Sequence, residues 1–246
     1  MDAITPRDQE INREAARPLD AVRVARDLLH TTRSAALATL DPGGFPYGIM
    51  TNLITAPDGT PILFAARMAL HARNIAADPR ASLTMAAPGA DVLVVPRLTL
   101  SGIVEEVAPS ETDAVKDRYL RHFPKSKLYL ALPDAQLYRL RVEGVQLNGG
   151  PRQNAHEVTP KGVLTDLEGA EDLIRGEAGL VEALNARPGT AARIAAAAGG
   201  AEGRWKITSV DPEGIDLTAG DSGARWWFPE RAVTAAGAEA LVTALG

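Results

Sequence analysis

Apolar positions along the chain change their spacing several times, and each change marks an element. From Asp20 to about Thr32, Val22, Ala25, Leu28 and Leu29 share one helical face, and Asp20 is a suitable N-cap. Short apolar runs then alternate with turn residues. AALATL (35–40) is followed by DPGG, PYGIMTNLIT (46–55) by APDG, and PILFAA stands at 61–66. Two strand–turn–strand units with Asp/Pro/Gly turns predict antiparallel hairpins. Residues 68–77 read as a helix that stops before Pro79. ASLTMA (81–86) and RLTLSGIVEEV (97–107) return to strand, with Gly102 a candidate bulge. SETD opens a further helix at Ser110, with Ser110 and Asp113 spaced like a capping box, and it runs to about His122. LYRLRVEGVQLNGG (137–150) completes a set of about six strands, and tight turns between strands favour a closed antiparallel barrel over a doubly wound sheet.

From about residue 160 the texture changes. Residues 166–198 are Ala-rich and helical, WKITSVD–PEG–IDLTAG forms a hairpin, RWWFPE adds a strand, and 231–245 a last helix. The predicted fold class is α+β: an antiparallel split β-barrel followed by a small α+β C-terminal domain. The boundaries are a flexible N-terminal arm over 1–18, a barrel domain over 19–160 and the small domain over 161–246. Trp205, Trp226 and Trp227 all fall in the last and are expected to fill its core.

Composition narrows the chemistry. A formal charge of -5 gives no sign of a nucleic-acid binder. The absence of cysteine removes disulfides, thiolate metal sites and cysteine nucleophiles together. The polar N-terminus lacks the apolar core of a signal peptide, and no run approaches a membrane span, so a cytoplasmic protein without membrane contact is expected. The histidines, His30, His71, His122 and His156, show no metal-ligand spacing. His30 falls among core positions of the first helix, whereas His122 and His156 read as surface residues. No nucleophile elbow, P-loop or dinucleotide fingerprint occurs.

Two stretches could hold a ligand. Arg67-Met-Ala-Leu-His71-Ala-Arg73-Asn74 follows a strand and opens a helix, where free N–H groups and the cationic side chains suit a phosphate; the alternative is a solvated basic face. In PYGIMTN, Thr51 and Asn52 put polar groups into an apolar strand that could border a flat heteroaromatic ring or simply be an edge.

Taken in order, PYG, the DG turn, ILFAA, the His-x-Arg-Asn helix start, Asp-Pro-Arg-x-Ser-Leu (78–83) and Pro-Arg-Leu-Thr-Leu (96–100) resemble the FMN-binding split-barrel family, pyridoxamine 5'-phosphate oxidase-like. RYLRHFP (118–124) and the Gly149-Gly150 turn resemble its haem-utilisation branch of the HugZ/HutZ type, over about residues 20–158. The resemblance implies a homodimeric FMN flavoprotein, an oxidoreductase acting on an unidentified small molecule. It implies that Arg67, His71, Arg73 and Asn74 surround the FMN phosphate and ribityl chain, that Ile49, Met50 and Thr51 face the flavin ring, and that Arg97 reaches the cofactor from a neighbouring strand. The oxidase branch's Arg-Lys phosphate pair is Leu70-His71 here, and its substrate-holding Arg-x-His pair is absent. The small domain's usual His-Met-Asn-x-Asp-His opening is Ala183-Leu184-Asn185-Ala186-Arg187-Pro188, and no histidine follows His156. Haem binding or degradation is therefore the disfavoured alternative, beside a deazaflavin protein or a dimeric module whose cofactor site has decayed.

Overall fold

The computed structural model describes residues 19–150 and 158–245; the N-terminal arm and His156 lie outside the described residues. Helix α1 (Ala21–Thr31) begins where Asp20 accepts a hydrogen bond from the Arg23 N–H at 3.0 Å. It buries Ala21, Ala25, Leu28 and Leu29 in the barrel core, and His30 on its last turn. The chain continues through β1 (Ser34–Leu40), β2 (Pro46–Asn52), β3 (Ile54–Thr55), β4 (Pro61–Ala66), α2 (Leu70–Ala77), β5 (Arg80–Ala86), β6 (Arg97–Glu106), α3 (Thr112–His122), α4 (Lys127–Leu130) and β7 (Ala135–Asn148). These strands form one antiparallel sheet in the order β2-β1-β5-β6-β7-β4-β3. The long β7 pairs with β6 at one edge and β4 at the other, which curls the sheet into a split barrel.

Gly102 forms the predicted bulge. The register with β7 shifts between Ser101 and Gly102, and a Cβ on Gly102 would lie 1.9 Å from the Arg141 carbonyl oxygen. Three local expectations change. The 46–55 run divides at Leu53, whose side chain turns into the core while its N–H donates to the Arg33 carbonyl at 3.0 Å, so the sheet has seven strands. Helix α3 starts at Thr112 with Glu111 at the N-cap and no side-chain cap. Ser110 stays exposed in a turn closed by the Glu111 N–H on the Ala108 carbonyl, which leaves no capping box. The four-residue helix α4 is too short to show a periodicity.

After the single turn α5 (Pro160–Val163) come α6 (Glu171–Ala186), α7 (Thr190–Ala197), β8 (Lys206–Asp211), β9 (Gly214–Ala219), β10 (Ser222–Trp227) and α8 (Ala235–Ala244). The three strands form a second antiparallel sheet, β10-β9-β8, whose core includes Leu173, Leu184, Ile194, Ile207, Val210 and Ile215. The Asn185 side chain donates to the Ile207 carbonyl at 2.8 Å and accepts from its N–H at 3.0 Å, tying α6 to the sheet edge. Among the described residues no helix is long and apolar enough to cross a membrane.

The two sheets meet through buried charge. The Arg225 guanidinium on β10 donates to Asp216 at 2.7 Å and to Asp211 at 2.8 Å, and His30 Nδ1 from α1 lies 3.2 Å from an Asp216 oxygen. Burial pulls the Arg225 pKa down, but the attraction of Asp211 and Asp216 outweighs it and the net shift is upward. Glu177 on α6 pairs with Arg118 at 2.7 Å and with Arg121, both on α3, and Arg118 also donates to the Thr55 carbonyl at 2.6 Å. Arg26 on α1 pairs with Glu213. Trp205 and Trp226 pack on the C-terminal core as expected, but Trp227 does not belong there. Its indole N–H donates to Asp27 of α1 at 2.6 Å, and Arg23, Arg26 and Arg225 lie over its ring.

His122 also corrects the sequence reading: it is buried at this junction, not on the surface. Burial, reinforced by the Arg118 charge, lowers its pKa to about 3, with Asp216 opposing and Arg33 and Arg121 adding to the fall.

Two outcomes follow from this junction. Arg225→Met strands two buried carboxylates and is expected to lower unfolding stability by about 3–5 kcal/mol in urea titration; a loss below about 1 kcal/mol would contradict the buried pairing. For His122, the unfolded imidazole takes up its proton near pH ~6.5 and the folded one near pH 3. The unfolded state thus binds more protons between these values. The contribution is complete above pH ~6.5 and is lost as pH falls towards 3, on the order of 1 kcal/mol per pH unit. His122→Gln should flatten this part of the stability–pH curve relative to the parent, and superimposable curves would show that His122 does not titrate this way.

Candidate functional site

Alternation along β2 decides which of its residues can meet a ligand. Leu37 of β1, deep in the core, registers with Ile49, so Ile49 faces inward and packs against the barrel core. Met50 then points outward, 68% exposed. Thr51 returns to the inner side, half-buried, with its hydroxyl donating to the Asn52 carbonyl at 3.3 Å.

On the other ligand stretch, Arg67 is exposed and donates to Gln136 at 2.8 Å and to Glu106 at 3.1 Å. His71 is half-buried on α2, and burial lowers its pKa. Arg73 is exposed on the same helix. Asn74 is buried and donates to the Thr39 hydroxyl at 3.1 Å, fastening α2 to β1. These four residues lie on one helix and its lead-in. In this structure Arg67 and Asn74 are already engaged with the protein, leaving His71 and Arg73 as the side chains that could turn to an anion.

Met50 and Arg97 come together elsewhere. Both line a cleft of about 1410 Å³ between the outer face of the barrel sheet and the C-terminal sheet. Arg97 donates to the Val92 carbonyl at 2.6 Å, which holds the 87–96 connection against the cleft mouth. One wall offers Ala36, Met50, Thr84 and Ala86 from β1, β2 and β5; the end of α3 adds His122 and Phe123; the far wall includes Thr218 and Gly223.

The cleft's charge is one-sided. Among the described residues, Arg33, Arg97, Arg121, Lys125, Arg204 and Lys206 line it, against one carboxylate, Asp221. Arg33 and Arg121 are fixed: Arg33 donates to the His122 carbonyl at 2.9 Å, and Arg121 donates to the Thr208 carbonyl at 3.0 Å while pairing with Glu177. Such a cleft concentrates anions, and its volume is large enough for a drug-sized or cofactor-sized ligand. Sequence reasoning did not single out Arg33, Arg121, Lys125, Arg204 or Lys206. RYLRHFP carries part of the resemblance to the haem-utilisation branch, but nothing in its spacing tells which arginine faces the cleft. Arg204 and Lys206 have the alternation of any half-exposed strand.

Among the residues that could bind a metal, His30, Asp211 and Asp216 cluster closely, yet Arg225 bridges both carboxylates and fills the cation's place.

Comparison with known proteins matches this architecture. A curated relative, the chloroplastic non-canonical heme oxygenase HOZ of Arabidopsis thaliana, is 30% identical over 143 residues, 57% of this chain and 44% of the relative. The chain therefore spans less than half of that relative's length. A solved protein of unknown function from Agrobacterium tumefaciens is 48% identical, with a TM-score of 0.85 over 98% of this chain and 100% of the other. A solved heme binding protein from Mycobacterium smegmatis is 28% identical, with a TM-score of 0.55 over 94% of this chain and 97% of the other. The family model described as CREG, beta-barrel matches residues 16–160, more than half of the sequence and the whole seven-stranded sheet; the chain belongs to the CREG β-barrel family of split-barrel proteins.

Proposed function

We propose that this protein binds haem in the cleft between its two sheets and serves haem utilisation. The observation that carries the reading is the cleft's six cations, against one carboxylate among the described residues, beside a sheet wall that includes Ala36, Met50, Thr84 and Ala86. Haem pairs an apolar planar ring with two carboxylates. Arg97, Lys125 and Arg204 would hold the propionates, Arg being suited to bidentate pairing with a carboxylate. Met50, Ala36 and Phe123 would lie against the ring. The heme-binding and heme-oxygenase relatives support the same choice of ligand.

The described residues fit the ring and the propionates better than the iron. His122 is the one histidine among them that lines the cleft, and its Nε2 is buried. Haem, when bound, would supply iron chemistry whose course the surrounding pocket sets; Arg97, Lys125 and Arg204 would bind its propionates, and Met50, Ala36 and Phe123 would screen its ring from water.

A second reading is FMN in the same cleft. It is favoured by Met50 and Arg97, the two members of the implied flavin set that line it. The proposal also includes a homodimer, as expected for the split barrel. Gly48, Ala38, Ser82 and Ser101 register across β2, β1, β5 and β6 on the outer face, a row of small side chains that a second flat surface can approach closely. Light scattering is expected to give twice the chain mass at micromolar concentration, and a monomer would contradict the dimer.

Haemin titration followed at the Soret band tests the ligand. Saturation at one haem per chain is expected. Arg97→Ala should weaken binding about 10- to 100-fold, the loss of a charge-assisted hydrogen bond contributing ~1.5–3 kcal/mol. Unsaturable absorbance, or equal affinity in the variant, would overturn the haem assignment. A flavin spectrum from the purified protein, lost on extraction of FMN, would establish the second reading in its place.

A further inference from the structure

Beneath the cleft, where α1, α3 and the C-terminal sheet meet, lies a small, partly open chamber. About 10 Å³ of it is open to the centre of a water-sized sphere, room for one small occupant. Its wall includes His30, Arg33, Thr55, His122, Thr208 and Asp216.

Among the described residues, three on this wall carry a buried nitrogen without a partner, Arg33 Nη1, His122 Nε2 and His30 Nε2; each imidazole nitrogen donates in the tautomer that carries its proton there. Arg33 commits its other terminal nitrogen to the His122 carbonyl at 2.9 Å, which fixes the guanidinium against the chamber. An arginine N–H can only donate, so its buried N–H requires an acceptor. The one carboxylate on the wall does not supply it. Asp216 already receives Arg225 at 2.7 Å and the Ser209 hydroxyl at 2.8 Å, and lies 3.2 Å from His30.

The charge balance points the same way. Around the chamber, Arg33, Arg118, Arg121 and Arg225 meet three buried carboxylates, Glu177, Asp211 and Asp216. Arg118 leaves its Nη2 unpartnered as well. Asp221 acts on Arg33 from the exposed rim, where solvent screens it. A neutral water would satisfy hydrogen bonds here but leave half-buried Arg33 with only the exposed Asp221 as counter-charge. A monovalent anion satisfies both.

We propose that this chamber is a binding site for a single small monovalent anion of the chloride class, held by Arg33 Nη1 and His122 Nε2 with the adjoining threonine hydroxyls. The site shares Arg33 and His122 with the cleft, but its test involves no cofactor and so is decided separately from the haem reading. Its occupancy acts on the cleft, because Arg33 and His122 line both spaces. The groups that set its pH response are those facing His122, namely Arg118, Asp216, Arg33 and Arg121. The anion offsets the three arginines and stabilises the protonated imidazole, so binding tightens as pH falls through the His122 titration.

The test uses the full chain in gluconate buffer, titrated with chloride at constant ionic strength and pH 7, with the melting temperature as readout. A saturable rise of about 5 °C over a hundredfold range of chloride is expected. Arg33→Gln should abolish it, and so should His122→Gln. A crystal soaked in bromide should give one anomalous peak inside the chamber, and this decides the matter should either variant fail to fold. A chloride response that never saturates, or that persists unchanged in both variants, would overturn the proposal. So would a chamber containing only water in the bromide-soaked crystal.

Discussion

Arg225 is the point on which the arrangement of the two sheets depends. It is shut away from solvent, so its charge has no water to fall back on and must be met by Asp211 and Asp216 of its own sheet. That requirement fixes β8, β9 and β10 against one another, since each contributes one member. His30 of α1 then joins the same cluster, and Trp227, two residues beyond Arg225, stacks with Arg23 and Arg26 of α1. A close approach follows: a Cβ on Gly223 would stand 2.1 Å from the Thr31 carbonyl oxygen. Only glycine lets β10 lie this near the end of α1.

A second anchor works at the other end of the junction. Glu177 gathers Arg118 and Arg121, and these sit four and one residues before the point where α3 gives out at His122. The residues just beyond, Phe123 through Ser126, form part of the cleft wall. The carboxylate of one sheet's helix thus sets where the other sheet's cations stand. Buried ion pairs are a poor source of net stability but a good source of geometry, because any other arrangement leaves a charge uncompensated. Here that geometry is a cleft with cations held on its walls.

Much of the fold was legible in the sequence. Strand alternation, the Asp/Pro/Gly turns and the Gly102 bulge are local signals, and each element they mark is present. Ser110 misled because a capping pattern describes hydrogen bonds available to a helix, while the Pro109 turn moved the start to Thr112. His122 misled for a different reason. Burial of a polar residue at a junction between two sheets is decided by a partner more than eighty residues away, and no periodicity within α3 reports it. The site was less legible still. Met50 and Arg97 were singled out and do share a cleft. Arg67 and Asn74 were singled out with them, yet the structure joins Arg67 to Glu106 and Gln136, and Asn74 to Thr39. Arg33 precedes β1, Arg121 ends α3, Lys125 follows it and Arg204 precedes β8, and only the folded junction brings these cations to one cleft.

Buried pairing positions the cleft's cations, and in the proposed haem reading their position, not their total charge, governs ligand binding. Glu177→Gln separates the two. It removes one negative charge near the cleft, so charge alone would tighten the binding of an anionic ligand. Loss of position would weaken it, because Arg121 is no longer held. Haemin affinity, measured on a variant whose circular dichroism matches the parent, should fall about tenfold. Equal or tighter binding would contradict the central role given to the junction.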